Sequence, residues 1–162
     1  MAVVKWLLIS AAALPLLAMA VGQMGLLHGQ PPSGLGVNGG KLKAPAATPN
    51  SVSSQADLWP GHPQQAYARI APLALVGDGA ATMARLATLV RGTPGAQIVT
   101  ERNDYLYATF TTRLMKYTDD VEFWFDPAAG VVQVRSASRL GESDLGANRA
   151  RVERLRTQLQ GR

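Results

Sequence analysis

Cysteine is absent from this 162-residue chain. That removes thiol nucleophiles, disulfides and thiolate metal sites. It leaves the compartment open, because a cysteine-free domain is viable on either side of a membrane. Histidine occurs only at His28 and His62, and neither has a partner at metal-ligand spacing. Both lie in a Gly/Pro-rich stretch. No G-x-S-x-G elbow, phosphate loop or dinucleotide fingerprint occurs. Charged residues are scarce, at 17%. No cofactor and no metal site is expected, and the balance leans away from an enzyme.

An uncharged N-terminal run is present. Met1–Lys5 forms a short positive lead, and Trp6–Val21 carries no charge. Two readings stay open. Ala18-Met19-Ala20 fits an A-x-A cleavage site after a signal-peptide core. Alternatively, apolar character continues weakly to Leu27, so that residues 3–27 approach the roughly twenty needed to span a bilayer. A retained transmembrane anchor is the favoured reading over secretion with cleavage near Ala20. Lys5 lies close to the apolar edge and Lys41 and Lys43 farther from it, which places the domain outside or in the periplasm.

The chain then divides by composition into residues 1–27, a linker over 28–63 and a small domain over 64–162. Six of the ten prolines fall between Pro31 and Pro63, and Pro31-Pro32, Gly39-Gly40 and Trp59-Pro60-Gly61 are turn signals. Within the domain, Pro72 demotes the run Ile70–Val76 to an edge strand or irregular segment. Asp78 caps a helix whose stripe is Met83, Leu86 and Val90, closed by Gly92 and Pro94. Strands follow at 96–101, 105–115, 120–126 and 131–139, with Val121, Phe123 and Phe125 inward and Glu122 outward. Ser143 or Asp144 opens a last helix with Val152, Leu155 and Leu159 inward and Arg151 and Arg154 in water. The expected fold is α+β: an antiparallel sheet of three to five strands, two helices packed on one face, and the N-terminal transmembrane or signal helix.

One polar cluster stands out against the low charge. Arg113, Glu122 and Arg135 could form a row across strands. Asp119, Asp120, Ser136, Ser138, Arg139, Ser143, Asp144, Asn148 and Arg149 gather around strand ends. The bland reading is a salt-bridge row plus a helix cap. The functional reading is a site for a small anionic ligand near a helix N-terminus. A hydrolase using Asp119, Asp120 and Glu122 is the enzymatic alternative. The net charge of +5 adds a third: Arg149, Arg151, Arg154, Arg156 and Arg162 against Glu153 could meet a lipid surface. Partners expected are the membrane, through the N-terminal helix, and an envelope protein or small anionic ligand; nucleic acid is not expected.

Asp119-Asp-Val-Glu-Phe123, Arg135-Ser-Ala-Ser-Arg139 and Gly141–Arg149 occur in that order, preceded by Gly34-Leu-Gly-Val37 and Pro49–Ser54. Together they resemble the bacterial and plastid family called domain of unknown function fourteen ninety-nine, over most of residues 31–159. The resemblance implies a membrane-anchored or exported domain and no assigned activity. It also implies a cysteine pair flanking the Pro-Asn segment, where this chain has Ala44 and Ser51.

Overall fold

The computed structural model describes residues 2–161. Helix α1 covers Ala2–Gln23 and contains Pro15, and a single-turn helix α2 covers Gln65–Ala68. The side chains of Ala2, Val3, Lys5, Leu8, Ile9, Ser10 and Ala12 lie outside the described residues, as does Arg162. Among the described residues no helix is long and apolar enough to cross a membrane.

The domain is built on one six-stranded antiparallel sheet: β1 (Ser51–Ser53), β2 (Leu73–Ala74), β3 (Ala96–Glu101), β4 (Tyr105–Thr111), β5 (Thr118–Asp126) and β6 (Val131–Ser138). The path runs β1-β6-β5-β4-β3, and β2 pairs with the opposite end of the β6 edge. Alternation along β5 directs Val121, Phe123 and Phe125 to one face. Register places Val121 beside Ala108 and Ser136, and Phe123 beside Leu106 and Val134. This face is covered by α3 (Gly79–Arg91) and α4 (Ala147–Leu159). Leu86 and Val90 of α3, Val152, Leu155 and Leu159 of α4, and Val121, Phe123, Val132 and Val134 share one buried cluster. Burial of each such side chain contributes about 1.5–3 kcal/mol, which is what fixes the helices to this face.

Local signals explain the ends of α3. The Asp78 carboxylate accepts the Ala81 amide at 2.7 Å, and Gly92 is the C-cap. Gly79 lies so close to Phe125 that a Cβ there would come within 2.4 Å of the ring, so the first turn of α3 rests flat on β5.

Two expectations are corrected. The sheet has six strands, not three to five, because β1 and β2 add to the β6 edge. Strand β4 stops at Thr111, and residues 113–115 form a turn, so Leu114 is 60% exposed rather than in the core. The stretch 28–63, expected to lie extended or pack as irregular coil, joins the domain in part. Ser51–Ser53 pair with residues 135–137, and Leu42, Val52 and Ala56 are buried. Short strands interrupted by Pro and Gly leave no periodic signal, so their pairing is decided by tertiary contacts alone.

Candidate functional site

The twelve candidate residues do not form one cluster. Strand alternation splits them, because Asp119 and Asp120 point to opposite faces of β5.

On the helix-covered face, Asp119 receives the Arg151 guanidinium from α4. Arg151 also donates to Asn148 Oδ1 at 2.7 Å and Ser136 Oγ at 3.1 Å, and stacks over the Phe110 ring at 4.8 Å. Asn148 is fully buried; its amide donates to Ser138 Oγ and to the Asn50 carbonyl at 2.9 and 3.0 Å. Asp144 accepts the Asn148 and Gly146 backbone amides at 2.8 and 3.0 Å and the Tyr67 hydroxyl at 2.8 Å. Burial acts to raise its pKa, but these donors outweigh that and hold it below the usual carboxylate value. The helix therefore opens later than expected: Gly146, in the left-handed region, is the N-cap in place of Ser143 or Asp144, and Asp144 reaches the first turn of α4 from two residues before it.

On the other face, Arg139 holds Asp120 in a two-pronged pair at 2.8 and 2.9 Å, and Tyr107 donates to the same carboxylate at 2.6 Å. Burial, then the bond to Asp120, pushes the Tyr107 hydroxyl up to about 12. Glu122 is completely buried and accepts the Tyr105 hydroxyl at 2.8 Å and the Gly36 amide at 2.6 Å. Burial, reinforced by the Glu122 charge, raises the Tyr105 pKa well above its ordinary value. Arg135 lies 3.6 Å from Glu122, and its Nε donates to the Ala44 carbonyl at 3.1 Å. Among the described residues, Glu122 Oε2 and Arg135 Nη1 have no hydrogen-bond partner. Burial pulls the Arg135 pKa down, against the opposing pull of Glu122. The coil around Gly36 and Ala44 therefore lies over the Glu122–Arg135 pair and closes it from solvent.

Two candidates stand apart. Arg113 is exposed in the turn after β4, so no row with Glu122 and Arg135 exists. Arg149 turns to the Tyr67 and Arg69 carbonyls at 2.5 and 3.0 Å. Arg135, Arg139 and Arg149 are thus committed to three separate places, and each has a protein acceptor. Asp119, Asp120 and Glu122 are likewise engaged and are not gathered as a catalytic set. Among the described residues, no group of three metal-capable side chains forms.

Sequence reasoning assigned Arg151 to water, whereas it is the hub of the helix-side network. The signal was its spacing: Asn148, Val152, Leu155 and Leu159 make the buried stripe, and Arg151 stands one turn from Asn148 along its flank. Tyr67, Tyr105 and Tyr107 were also missed as carboxylate partners.

A cleft of about 450 Å³ opens beside the helix-side network. Asp119, Ser138, Ser143 and Asp144 line it, together with Leu27, Tyr117, Leu140 and Leu145. No basic side chain does.

Residues 41–159 match the family model described as "Protein of unknown function (DUF1499)". The chain belongs to this family. No curated protein and no solved structure matches it. The matched span of this DUF1499 chain begins before β1 and ends with α4, so it takes in the sheet entire and both polar networks apart from the Gly36 amide that meets Glu122. Within it, the Pro49–Ser54 segment supplies β1 and the Asn50 carbonyl, the 119–123 segment supplies three carboxylates, the 135–149 segment supplies Arg135 for Glu122 and Arg139 for Asp120, and Arg151 just beyond it pairs with Asp119. The networks are braces built between segments distant in sequence.

Proposed function

We propose that this DUF1499 chain is a membrane-tethered envelope domain that binds an amphiphile without transforming it. The cleft beside Asp119 carries the proposal. Its lining pairs apolar Leu27, Tyr117, Leu140 and Leu145 with Ser138, Ser143 and two carboxylates. Such a pocket suits an apolar tail with a hydrogen-bond-donating or cationic head. The cleft disfavours the anionic ligand expected from sequence, because no basic side chain lines it and its two carboxylates are already engaged within the domain.

Support for the tether comes from the uncharged run Trp6–Val21 and from exposure. Trp6, Leu7, Leu14, Leu16 and Leu17 of α1 are each more than 60% exposed. A helix that leaves such side chains outside the domain core needs another apolar medium. The reading takes α1 as retained rather than cleaved near Ala20, and Gln23 at its end joins it to the domain by donating to the Arg113 and Leu114 carbonyls at 3.3 and 2.9 Å. The orientation proposed is domain outward or periplasmic, following Lys5.

Thermal unfolding of the full chain in mild neutral detergent tests the cleft. Single-chain alkylammonium amphiphiles should raise the midpoint, and alkyl sulfates of equal length should not. Ala147→Trp, which fills the cleft, should abolish the rise. Equal response to both head groups, or a rise that survives Ala147→Trp, would overturn the reading.

A further inference from the structure

Among the described residues, the large apolar side chains left in solvent are concentrated. Besides those of α1, Met24, Leu26, Leu114, Tyr117, Leu140 and Leu145 surround its C-terminal end; only Leu58 and Val99 fall elsewhere. Leu145 is 96% exposed. Contacts place these segments side by side. Gln23 bonds the turn carrying Leu114, a Cβ on Gly22 would touch the Met115 carbonyl, and a Cβ on Gly29 would touch Leu140. Leu27, Tyr117, Leu140 and Leu145 share one cleft rim.

A second observation coincides. Among the described residues, the non-glycine positions with positive φ are Lys116, at 58°, and Leu145, at 51°. Left-handed backbone is disfavoured for a long branched side chain such as leucine. Both strained residues fall in the two loops beside the end of α1, one projecting a leucine and the other a lysine. Strain of this kind concentrates where a loop is held for a partner. The turn 113–117 also sets two basic residues among Leu114, Met115 and Tyr117, and the Arg113 and Lys116 side chains make no hydrogen bond or ion pair among the described residues.

We infer that the loops 113–117 and 140–145 form a platform that lies on an anionic bilayer surface, with Leu114 and Leu145 inserted and Arg113 and Lys116 at the lipid phosphates. The inference rests on the α1 tether proposed above but not on occupancy of the cleft. Apolar tips bury about 5–10 Å into the headgroup boundary, and flanking cations add electrostatic attraction. Glu142 lies between the two leucines of the second loop and opposes that attraction, so its neutralisation should strengthen the contact. The arrangement would open the cleft toward the source of its amphiphile.

The absence of cysteine makes the test direct. Single cysteines replacing Leu114, Leu145 and, as a control, Leu58 can be spin-labelled in the full chain and incorporated into vesicles. Collision rates with oxygen and with an aqueous nickel chelate then report depth. On anionic phospholipid vesicles the labels at 114 and 145 should be shielded from the chelate and open to oxygen, and the label at 58 should be aqueous. Arg113→Glu/Lys116→Glu should return both labels to water while circular dichroism and melting stay unchanged. Labels at 114 and 145 as aqueous as that at 58, in chains anchored by α1, would overturn the platform alone. Failure of the chain to enter vesicles would overturn the tether and the platform with it.

Discussion

Arg151 of α4 grips Asp119 of β5, and its guanidinium also stacks over Phe110. The pair joins helix to sheet at the cleft floor, with side-chain exposures of 14% and 7%. Removing one partner strands a charge in a place that water scarcely reaches. Asp119→Asn or Arg151→Ala should each cost roughly 3 kcal/mol. The double variant should cost less than the sum of the two. Urea unfolding of all four proteins measures the coupling, and strict additivity would show that the two groups do not interact.

The Glu122–Arg135 pair should behave differently. It is buried, its facing atoms lack hydrogen bonds, and their 3.6 Å separation is long for an ion pair. Glu122→Gln alone should destabilise by about 3–5 kcal/mol, because Arg135 keeps its charge in the interior. Replacing both by methionine should recover most of that loss. A double variant no more stable than Glu122→Gln would show that the pair carries net stabilisation of its own.

Stability should also depend on pH at both extremes. Tyr107 is harder to ionise when folded, at about 12 against an ordinary value of 10.0. Its contribution is complete below pH 10 and is lost as pH rises toward 12. Tyr107→Phe should flatten that alkaline limb. Asp144 has a lowered pKa, so its contribution is complete above its ordinary 3.8 and is lost as pH falls through the folded value. Asp144→Asn should flatten the acid limb. Chemical melts across pH give both curves, and unchanged limbs would contradict the pairings.

Much of the fold was legible. The alternation of Val121, Glu122 and Phe123, the Asp78 cap and the stripes of α3 and α4 each follow from local periodicity. The six-stranded count was not, because β1 and β2 have three and two residues and no alternation of their own. The site was legible only as a list of residue types. Asp119 and Asp120 are adjacent in sequence and opposite in space, so a reading that grouped them by proximity along the chain merged two networks. Arg151 looked solvated because its partner lies 32 positions away.

The covering coil gives a further expectation. Leu42 is 1% exposed and its amide donates to the Gln55 side chain at 2.7 Å. A fragment of residues 64–162 loses this segment, β1, and the Gly36 and Ala44 contacts to the Glu122–Arg135 pair. It should fail to give a cooperative melt, whereas residues 31–162 should melt cooperatively. Cooperative folding of the shorter fragment would show that the coil is dispensable.

α4 should prove structural rather than lipid-binding. Arg149 holds two carbonyls of the 67–69 segment, and Arg156 holds the Ala71 and Pro72 carbonyls at 2.7 and 2.6 Å. Arg149→Ala should lower the melting temperature by several degrees, on the order of 1 kcal/mol for lost hydrogen bonds to a charged donor. Arg154→Ala, whose side chain makes no such bond among the described residues, should be neutral. Equal effects of the two on vesicle association, with no change in melting, would restore the lipid role of this helix.

The most direct measurement is native mass spectrometry of the full chain released gently from membranes. A bound amphiphile should appear as a reproducible added mass on a chain that retains its first twenty residues. That mass should vanish in Ala147→Trp while the protein stays folded. A chain cleaved near Ala20, or an intact chain that carries no added mass in any preparation, would contradict the account.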